Sequence, residues 1–375
     1  MIQMYDPKRE YQSHKQEIDD AIQDVLNHGL FVNGPEVKLL EPDLAKFVGV
    51  KHAITCSNGT DALKVALLAL GVNPGDEVIT VAHTWISTAE VISLINAKPV
   101  FCDICPDTFN MDHTKLEALI TDKTKAIMPV SLYGQTADMD AINEIAEKHN
   151  IPVIEDGAQS FGATYKGKRS CNLSTIGTTS FFPSKPLGGY GDGGAMFTND
   201  DELANKMRQI KNHGCVKRFH HKYIGMNARM DTIQAAIIGT KLKRYDETMT
   251  KRKKCATYYL NNLNDVSGII LPIVKKYRES VWAQFSILAA SNDMRDYIVK
   301  FLKENGINVA IFYPVPLHFQ ECFNNLGYKK GDLPVTEDVC SRVFNLPCYG
   351  ELTYKEQMRI VLLLKCGITT YIENH

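Results

Sequence analysis

Four short segments of the 375-residue chain hold residue types that can act together on one ligand. In Ser57-Asn58-Gly59-Thr60-Asp61 a glycine stands between an apolar run and a helical pattern. Gly59 lets the backbone approach an anion closely, and the helix start behind it offers free N–H groups and a positive dipole end, which suits a phosphate monoester. A plain helix cap at Asn58 or Thr60 gives the same pattern. In Ile154-Glu155-Asp156-Gly157-Ala158-Gln159 the carboxylate of Asp156 follows an apolar run. There it can hold a pyridinium nitrogen protonated, which makes the ring an electron sink, while Gln159 hydrogen-bonds the ring's phenolic oxygen. The plainer reading is a carboxylate that caps the next turn. In Thr179 to Gly194, Lys185 follows a short strand and precedes five glycines within residues 188–194. A lysine in a dry, tight turn has a lowered pKa and becomes a nucleophilic amine; a solvated loop lysine is the alternative. The glycines let the backbone fold around a flat ligand, and Ser180 can add a hydroxyl to the phosphate site. The fourth segment runs from Gly225 to Asp231 and carries Asn227 and Arg229, with Gln234-Ala235-Ala236 beyond it.

Strands and helices in alternation must place these segments. Helices are expected at 14–27 and 36–48, broken apart by Asn33-Gly34-Pro35. Strands are expected at Ala53–Cys56, Glu77–Val81, Pro99–Asp103, Ala126–Val130, Pro152–Glu155, Thr178–Phe182 and Gly194–Thr198. Helices fall between them at Asp61–Leu70, Ile86–Ile95, His113–Leu119 and Met139–His149, and another follows from Asp201 to about Ile210. The strands are nearly continuous apolar runs, so the expected fold is α/β: a mostly parallel central sheet covered by helices on both faces. In such sheets ligands bind beyond the carboxyl ends of the strands, where the segments above fall. A long helix from Thr232 to about Leu260 leads into a smaller C-terminal α+β domain, dividing the chain into residues 1–245 and 246–375.

Composition excludes other classes. The chain is 44% hydrophobic and 23% charged with a formal net charge of −1, so no global pull toward nucleic acid or a membrane surface is expected. Apolar runs such as Val65–Leu70 are far short of the roughly 20 residues that span a bilayer. The start, MIQMYDPKREYQ, has no apolar run of a secretory leader. The ten cysteines are scattered, resemble no zinc-ligand spacing, and are expected to be mostly buried small hydrophobes. The expectation is a cytoplasmic protein in a reducing compartment, without a metal.

The segments together resemble the DegT/DnrJ/EryC1/StrS family of nucleotide-sugar aminotransferases. The likeness is carried by EDGAQSFGATYKGKRS and STIGTTSFFPSKPLGGYGDGGAMFTND, with SNGTDAL, GDEVIT and GMNARMDTIQAA in the family's order, and it runs from about residue 10 to the end. The resemblance implies an aspartate-aminotransferase-like fold (fold type I), pyridoxal 5′-phosphate as cofactor and a homodimer with shared active sites. It implies that Gly59, Thr60 and Ser180 bind the phosphate and that Trp85 stacks on the ring. By the same likeness Asp156 pairs with the ring nitrogen, Gln159 with the ring oxygen, and Lys185 carries the cofactor as a Schiff base. Asn227 would reach the phosphate of the neighbouring subunit, with Arg229 beside the substrate in the same loop.

Val309 to His318 matches a substrate-facing loop, in which Phe312, beside Tyr313, stands where many members have histidine. The wording around Lys185 is most similar to members that aminate a 3-keto UDP-sugar. The implied reaction takes an amino group from an amino acid such as L-glutamate to C3 of UDP-2-acetamido-2-deoxy-3-oxo-D-glucuronate, an O-antigen precursor, with Arg229 on the carboxylate. A neutral 3-keto or 4-keto UDP- or dTDP-sugar is the alternative. The basic run Lys217-Arg218-Phe219-His220-His221-Lys222 either meets the nucleotide's pyrophosphate or is a solvated loop. A dehydratase of this fold would replace the lysine by histidine, and a silent regulator would have no need of Asp156, Gln159 and Lys185 together.

Overall fold

Seven short strands, three of them buried along their whole length and the others along most of it, form the centre of the computed structural model, which describes residues 1–374. They are β1 (His52–Cys56), β2 (Glu77–Val81), β3 (Lys98–Cys102), β4 (Thr124–Ile127), β5 (Ile154–Asp156), β6 (Ile176–Ser180) and β7 (Gly194–Thr198). Strand β2 pairs in parallel with β3 and β4, and β5 with β6. Parallel bridges Ile127–Val153 and Val130–Asp156 join these two groups, and β7 runs antiparallel between β6 and β1. The spatial order is therefore 3-2-4-5-6-7-1, with β7 alone reversed. The mostly parallel sheet expected from the sequence is present. Its geometry sets the carboxyl ends of six strands and the amino end of β7 along one edge, where Gly194 is registered against both Cys56 and Ser180.

Both faces are covered. On one, the helices Gly59–Leu70 and Asp201–Ile210 bury Leu63, Val65, Leu67, Met207 and Ile210 against Ile54, Val78, Ile154, Ile176 and Met196. On the other, Met139 and Ile142 of the helix Met139–Lys148 pack with Ile79, Val81, Cys102 and Ile127. Leu40 and Leu44 of the helix Pro35–Val48 join Phe161, Phe181 and Phe197 at the β7 end. A second core gathers the antiparallel strands Phe285–Ala289 and Val343–Leu346 under the helices Asn292–Glu304 and Tyr354–Asn374. The first residues of the chain join this core: Ile2 is buried and bridges in parallel to Ile307.

Several expected boundaries move, each for a local reason. The strand expected at Thr178–Phe182 starts two residues earlier, because Gly177 packs where a Cβ would lie 2.3 Å from the Cys171 carbonyl oxygen; its glycine hides a strand position. Pro152 has no N–H for the ladder, so that strand begins at Ile154. The strand expected to reach Val130 ends at Ile127 ahead of Pro129, and Val130 returns only as a single bridge. The long helix expected from Thr232 is two, Thr232–Leu242 and Tyr245–Leu263, since Arg244 leaves helical geometry to let Tyr245 enter the core and donate to the Phe161 carbonyl at 2.6 Å.

Six of the ten cysteines are buried, whereas Cys105 and Cys215 are half-buried and Cys322 and Cys366 exposed, so burial is less general than expected. Cys102 and Cys105 fall in a Cys-x-x-Cys spacing that was overlooked in the sequence. Burial pushes their thiols up to about 12 and about 11, which makes them inert as thiolates. Among the described residues no cluster of three or more His, Cys, Asp or Glu could hold a metal.

Candidate active site

The carboxyl edge of the sheet opens into a cavity of about 350 Å³, within the range of roughly 300–1,000 Å³ typical of small-molecule sites. Asn58 closes its β1 side by accepting the Asp61 N–H at 2.7 Å, which starts the helix Gly59–Leu70. A Cβ on Gly59 would stand 2.7 Å from Ser180 Cβ, and one on Gly194 only 2.4 Å from the Asn58 carbonyl oxygen. The ends of β1, β6 and β7 thus converge at a distance only glycines permit. The helix N-terminus at Gly59 and Thr60 and the hydroxyl of Ser180 then face one cavity. The Thr60 hydroxyl is engaged with Ser87 at 2.7 Å, which leaves Thr60 its backbone N–H for an anion.

Successive side chains of a strand point to opposite faces, and β5 uses this to separate two carboxylates. Glu155 turns away from the cavity onto the hydroxyls of Ser131 and Ser170 and the Cys171 N–H, at 2.8, 2.7 and 2.7 Å. Asp156 turns toward the cavity, where the Thr88 hydroxyl donates to it at 2.8 Å and the Ala158 N–H at 3.1 Å. Burial pushes the Asp156 carboxyl above its ordinary range, opposed by these two bonds and by Lys185. Lys185 sits in a tight turn in which its N–H donates to the Phe182 carbonyl at 2.8 Å. Burial pulls its amine down, offset in part by Asp156, and the amine makes no hydrogen bond to another described residue.

Gln159 is oriented by bookkeeping of donors. Its Oε1 accepts the Tyr133 N–H at 2.9 Å, so its amide nitrogen faces the cavity and donates to the Tyr313 hydroxyl at 3.2 Å. Trp85 stands at the mouth, 58% exposed, with its ring 6.2 Å from that of Tyr313. Of the residues singled out in the sequence, Gly59, Thr60, Trp85, Asp156, Gln159, Ser180, Lys185, Phe312 and Tyr313 all line this one cavity. Asn227 and Arg229 do not: Asn227 is exposed and bridged to Asn212, and Arg229 donates to the Asn212 side chain at 2.8 Å. The basic run forms a surface hairpin, Cys215–Lys217 with His220–His221, that contributes nothing to the cavity.

The glycine cluster behaves differently from expectation. Cβ atoms on Gly189 and Gly191 would meet Gln234 at 2.7 and 2.8 Å, and one on Gly188 the Pro183 carbonyl at 2.5 Å. These glycines let the Lys185 loop pack onto protein, with Gln234 accepting the Tyr190 N–H at 2.9 Å, rather than onto a ligand. The sequence reading missed Thr88, Tyr133 and Gln284. Thr88 lies one turn beyond Thr84, just past the carboxyl end of β2, and the strand-end rule applied to that strand would have found it.

The residues fit pyridoxal 5′-phosphate. A desolvated carboxylate and an unpartnered, desolvated amine face one another's side of the cavity, and a glycine-built helix N-terminus stands ready for the phosphate. Fold and site together define a fold type I aminotransferase that works through this cofactor. The chain belongs to the DegT/DnrJ/EryC1/StrS aminotransferase family, whose sequence model matches residues 12–365. It is 52% identical over 352 residues to the UDP-2-acetamido-2-deoxy-3-oxo-D-glucuronate aminotransferase of Pseudomonas aeruginosa, covering 94% of this chain and 96% of that one. It is 45% identical over 362 residues to the pleiotropic regulatory protein of Geobacillus stearothermophilus, covering 96% of each. The crystal structure of NtdA from Bacillus subtilis with bound cofactor PMP superposes with a TM-score of 0.89 at 35% identity, covering 95% of this chain and 82% of that one.

Proposed function

We propose that the protein moves an amino group from L-glutamate to C3 of UDP-2-acetamido-2-deoxy-3-oxo-D-glucuronate. The observation that carries the acceptor is the 52% identity to the Pseudomonas aeruginosa enzyme of that name, spread over 94% of the chain, so no large insertion or deletion rebuilds the cavity. When bound, the cofactor supplies an electrophilic carbonyl carbon and a ring that accepts the electron pair released at the donor's α-carbon. The Lys185 amine, lowered by burial, is the group that anchors the cofactor and then takes the α-proton of the bound donor. Asp156 holds the ring nitrogen protonated, a task that its ionised form performs and that a neighbouring N–H⁺ restores against the upward push of burial. Gln159 can only donate from its cavity-facing amide, which suits a phenolate oxygen. The N–H groups of Gly59 and Thr60 and the Ser180 hydroxyl hold the phosphate, and Trp85 covers the ring from the mouth.

Lys185 is the sole cation lining the cavity among the described residues. A donor carboxylate and a uronate carboxylate both need a cation. The reading therefore includes a homodimer in which Asn227 and Arg229 of a second copy complete the site. It is supported by the exposed Leu26, Leu30, Phe31, Val32 and Leu39 next to that loop, where Val32 bridges to Asp231. Ten unpaired cysteines suit the reducing cytoplasm as its setting. Lys185, Asp156 and Gln159 on one cavity favour catalysis over a purely regulatory role, and an intact lysine favours transamination over dehydration.

A neutral keto-sugar is the second reading, favoured by Phe312, which gives the cavity an apolar wall. The test is kcat/KM for the UDP-uronate against its neutral 6-hydroxy and 6-deoxy counterparts, in wild type and Arg229→Met. A charge-assisted bond is worth roughly 1.5–3 kcal/mol, so the uronate should lead by about tenfold to a hundredfold in wild type and lose that lead in the variant. Equal efficiency on all three sugars in wild type overturns the uronate and leaves the aminotransferase.

A further inference from the structure

Behind the cavity wall lies a buried polar network that the reaction itself does not use. His83 is wholly buried, with Nδ1 at 3.1 Å from Cys340 Sγ and Nε2 at 2.8 Å from the Tyr133 hydroxyl. The same hydroxyl donates to the carbonyl oxygen of Phe312. A carbonyl only accepts, so the one proton of Tyr133 is spent there, and its oxygen must accept from His83. His83 is then the Nε2–H tautomer, and Nδ1 accepts from the Cys340 thiol. Burial holds this imidazole down at about 3 and the thiol up at about 12, which keeps both in these forms at neutral pH.

Phe312 is gripped from its other side as well. Its N–H donates to Asn345 Oδ1 at 3.1 Å, and Asn345 Nδ2 donates to Ser286 Oγ at 2.6 Å, a hydroxyl that stands beside Tyr133. Tyr133 occupies the left-handed region, at φ 57°, where an aromatic residue is strained unless its surroundings fix it. That conformation lets one residue serve two walls: its N–H holds Gln159, and its hydroxyl holds Phe312.

We propose that Tyr133, oriented by His83, is the positioning residue that fixes the Phe312 wall of the cavity and so sets the affinity for the amino acceptor, while the donor half-reaction does not depend on its hydroxyl. The acceptor's identity rests on the keto-sugar reading above. The division between half-reactions follows from the two bonds. Gln159 is held by a backbone N–H that survives side-chain substitution, whereas Phe312 is held by the hydroxyl.

The experiment uses the holoenzyme of wild type, Tyr133→Phe, His83→Leu and His83→Gln, the last placing an amide N–H near where Nε2–H stands. Bleaching of the cofactor's visible band by L-glutamate reads the donor half-reaction, and steady-state kinetics read KM for the UDP-keto-sugar. Loss of one buried hydrogen bond corresponds to a rise in KM of about tenfold in Tyr133→Phe and His83→Leu, with the donor half-reaction within about twofold of wild type and His83→Gln close to wild type. An unchanged KM in the folded variants, or parallel loss of both half-reactions, overturns the proposal; Tyr133→Phe decides alone if His83→Leu does not fold. Nitrogen-15 NMR of labelled histidine reads the tautomer directly in wild type, whatever the acceptor. Nε2–H supports the direction of the network, and Nδ1–H or an imidazolium overturns it. A wild type that aminates no keto-sugar refutes the proposed function instead, a result the tautomer measurement keeps separate.

Discussion

Lys185 and Asp156 face the same cavity and are driven by the same burial in opposite directions, the amine down and the carboxyl up, so each is shifted toward its neutral form. A protonated ring nitrogen bound beside Asp156 would reverse that shift for the carboxylate. Asp156→Asn should therefore retain cofactor and lose several kcal/mol of transition-state stabilisation, about a hundredfold or more in rate. A variant that runs within about threefold of wild type would remove Asp156 from this role. Lys185→Ala should leave the cofactor bound without a covalent link. Borohydride reduction of wild type and peptide mapping should place the label on Lys185, and a label on any other lysine would end the assignment. These two residues were legible in the sequence because Asp156 ends an apolar run at the sheet edge and Lys185 stands between a short strand and a glycine cluster. Tyr133 was not, since nothing in a local pattern marks a residue whose N–H meets a glutamine side chain 26 positions away.

Elements were legible where side-chain chemistry and backbone geometry agree. The helix Asp201–Ile210 was read from its first residue, because Asp200 caps both Glu202 and Leu203 and the apolar positions recur at helical spacing. Strands β5 and β6 were shifted because proline and glycine answer to the ladder and to packing, which a count of apolar residues does not see. The short helix Pro7–Ser13 was missed, and a distant partner helps to hold it. Arg9 forks onto Glu356 at 2.8 Å through both nitrogens, while Glu356 and Thr353 exchange bonds as the cap of the last helix. The Arg9 guanidinium holds the Glu356 carboxyl down at about 2 from its ordinary 4.5. A depressed carboxylate contributes its stability above the unfolded value and loses it as pH falls through the folded one. Wild type should thus melt above Glu356→Gln near neutral pH, by an amount discounted for the partial exposure of the pair, and the gap should close as pH falls from about 4.5 toward 2. A gap independent of pH across that window would mean that this ion pair does not carry the difference.

At the scale of the whole molecule, the central sheet came from the alternation of elements, but the completeness of the site did not. Asn227 and Arg229 lie outside the cavity of their own chain, so their contribution depends on a surface that one sequence does not display. If two copies share their sites, mixing inactive Lys185→Ala with an inactive Asn227/Arg229 double variant should restore part of the activity, because one of the two hybrid sites is then intact. No recovery after confirmed subunit exchange would assign each site to a single chain. The most direct test of the central claim follows the transferred atom itself. Holoenzyme is incubated with L-[¹⁵N]glutamate and UDP-2-acetamido-2-deoxy-3-oxo-D-glucuronate, and the product is read by NMR. Nitrogen-15 bonded to C3 of the sugar, with one equivalent of 2-oxoglutarate formed, is the expected result; label at another carbon, or a sugar without label while glutamate is consumed, would contradict it.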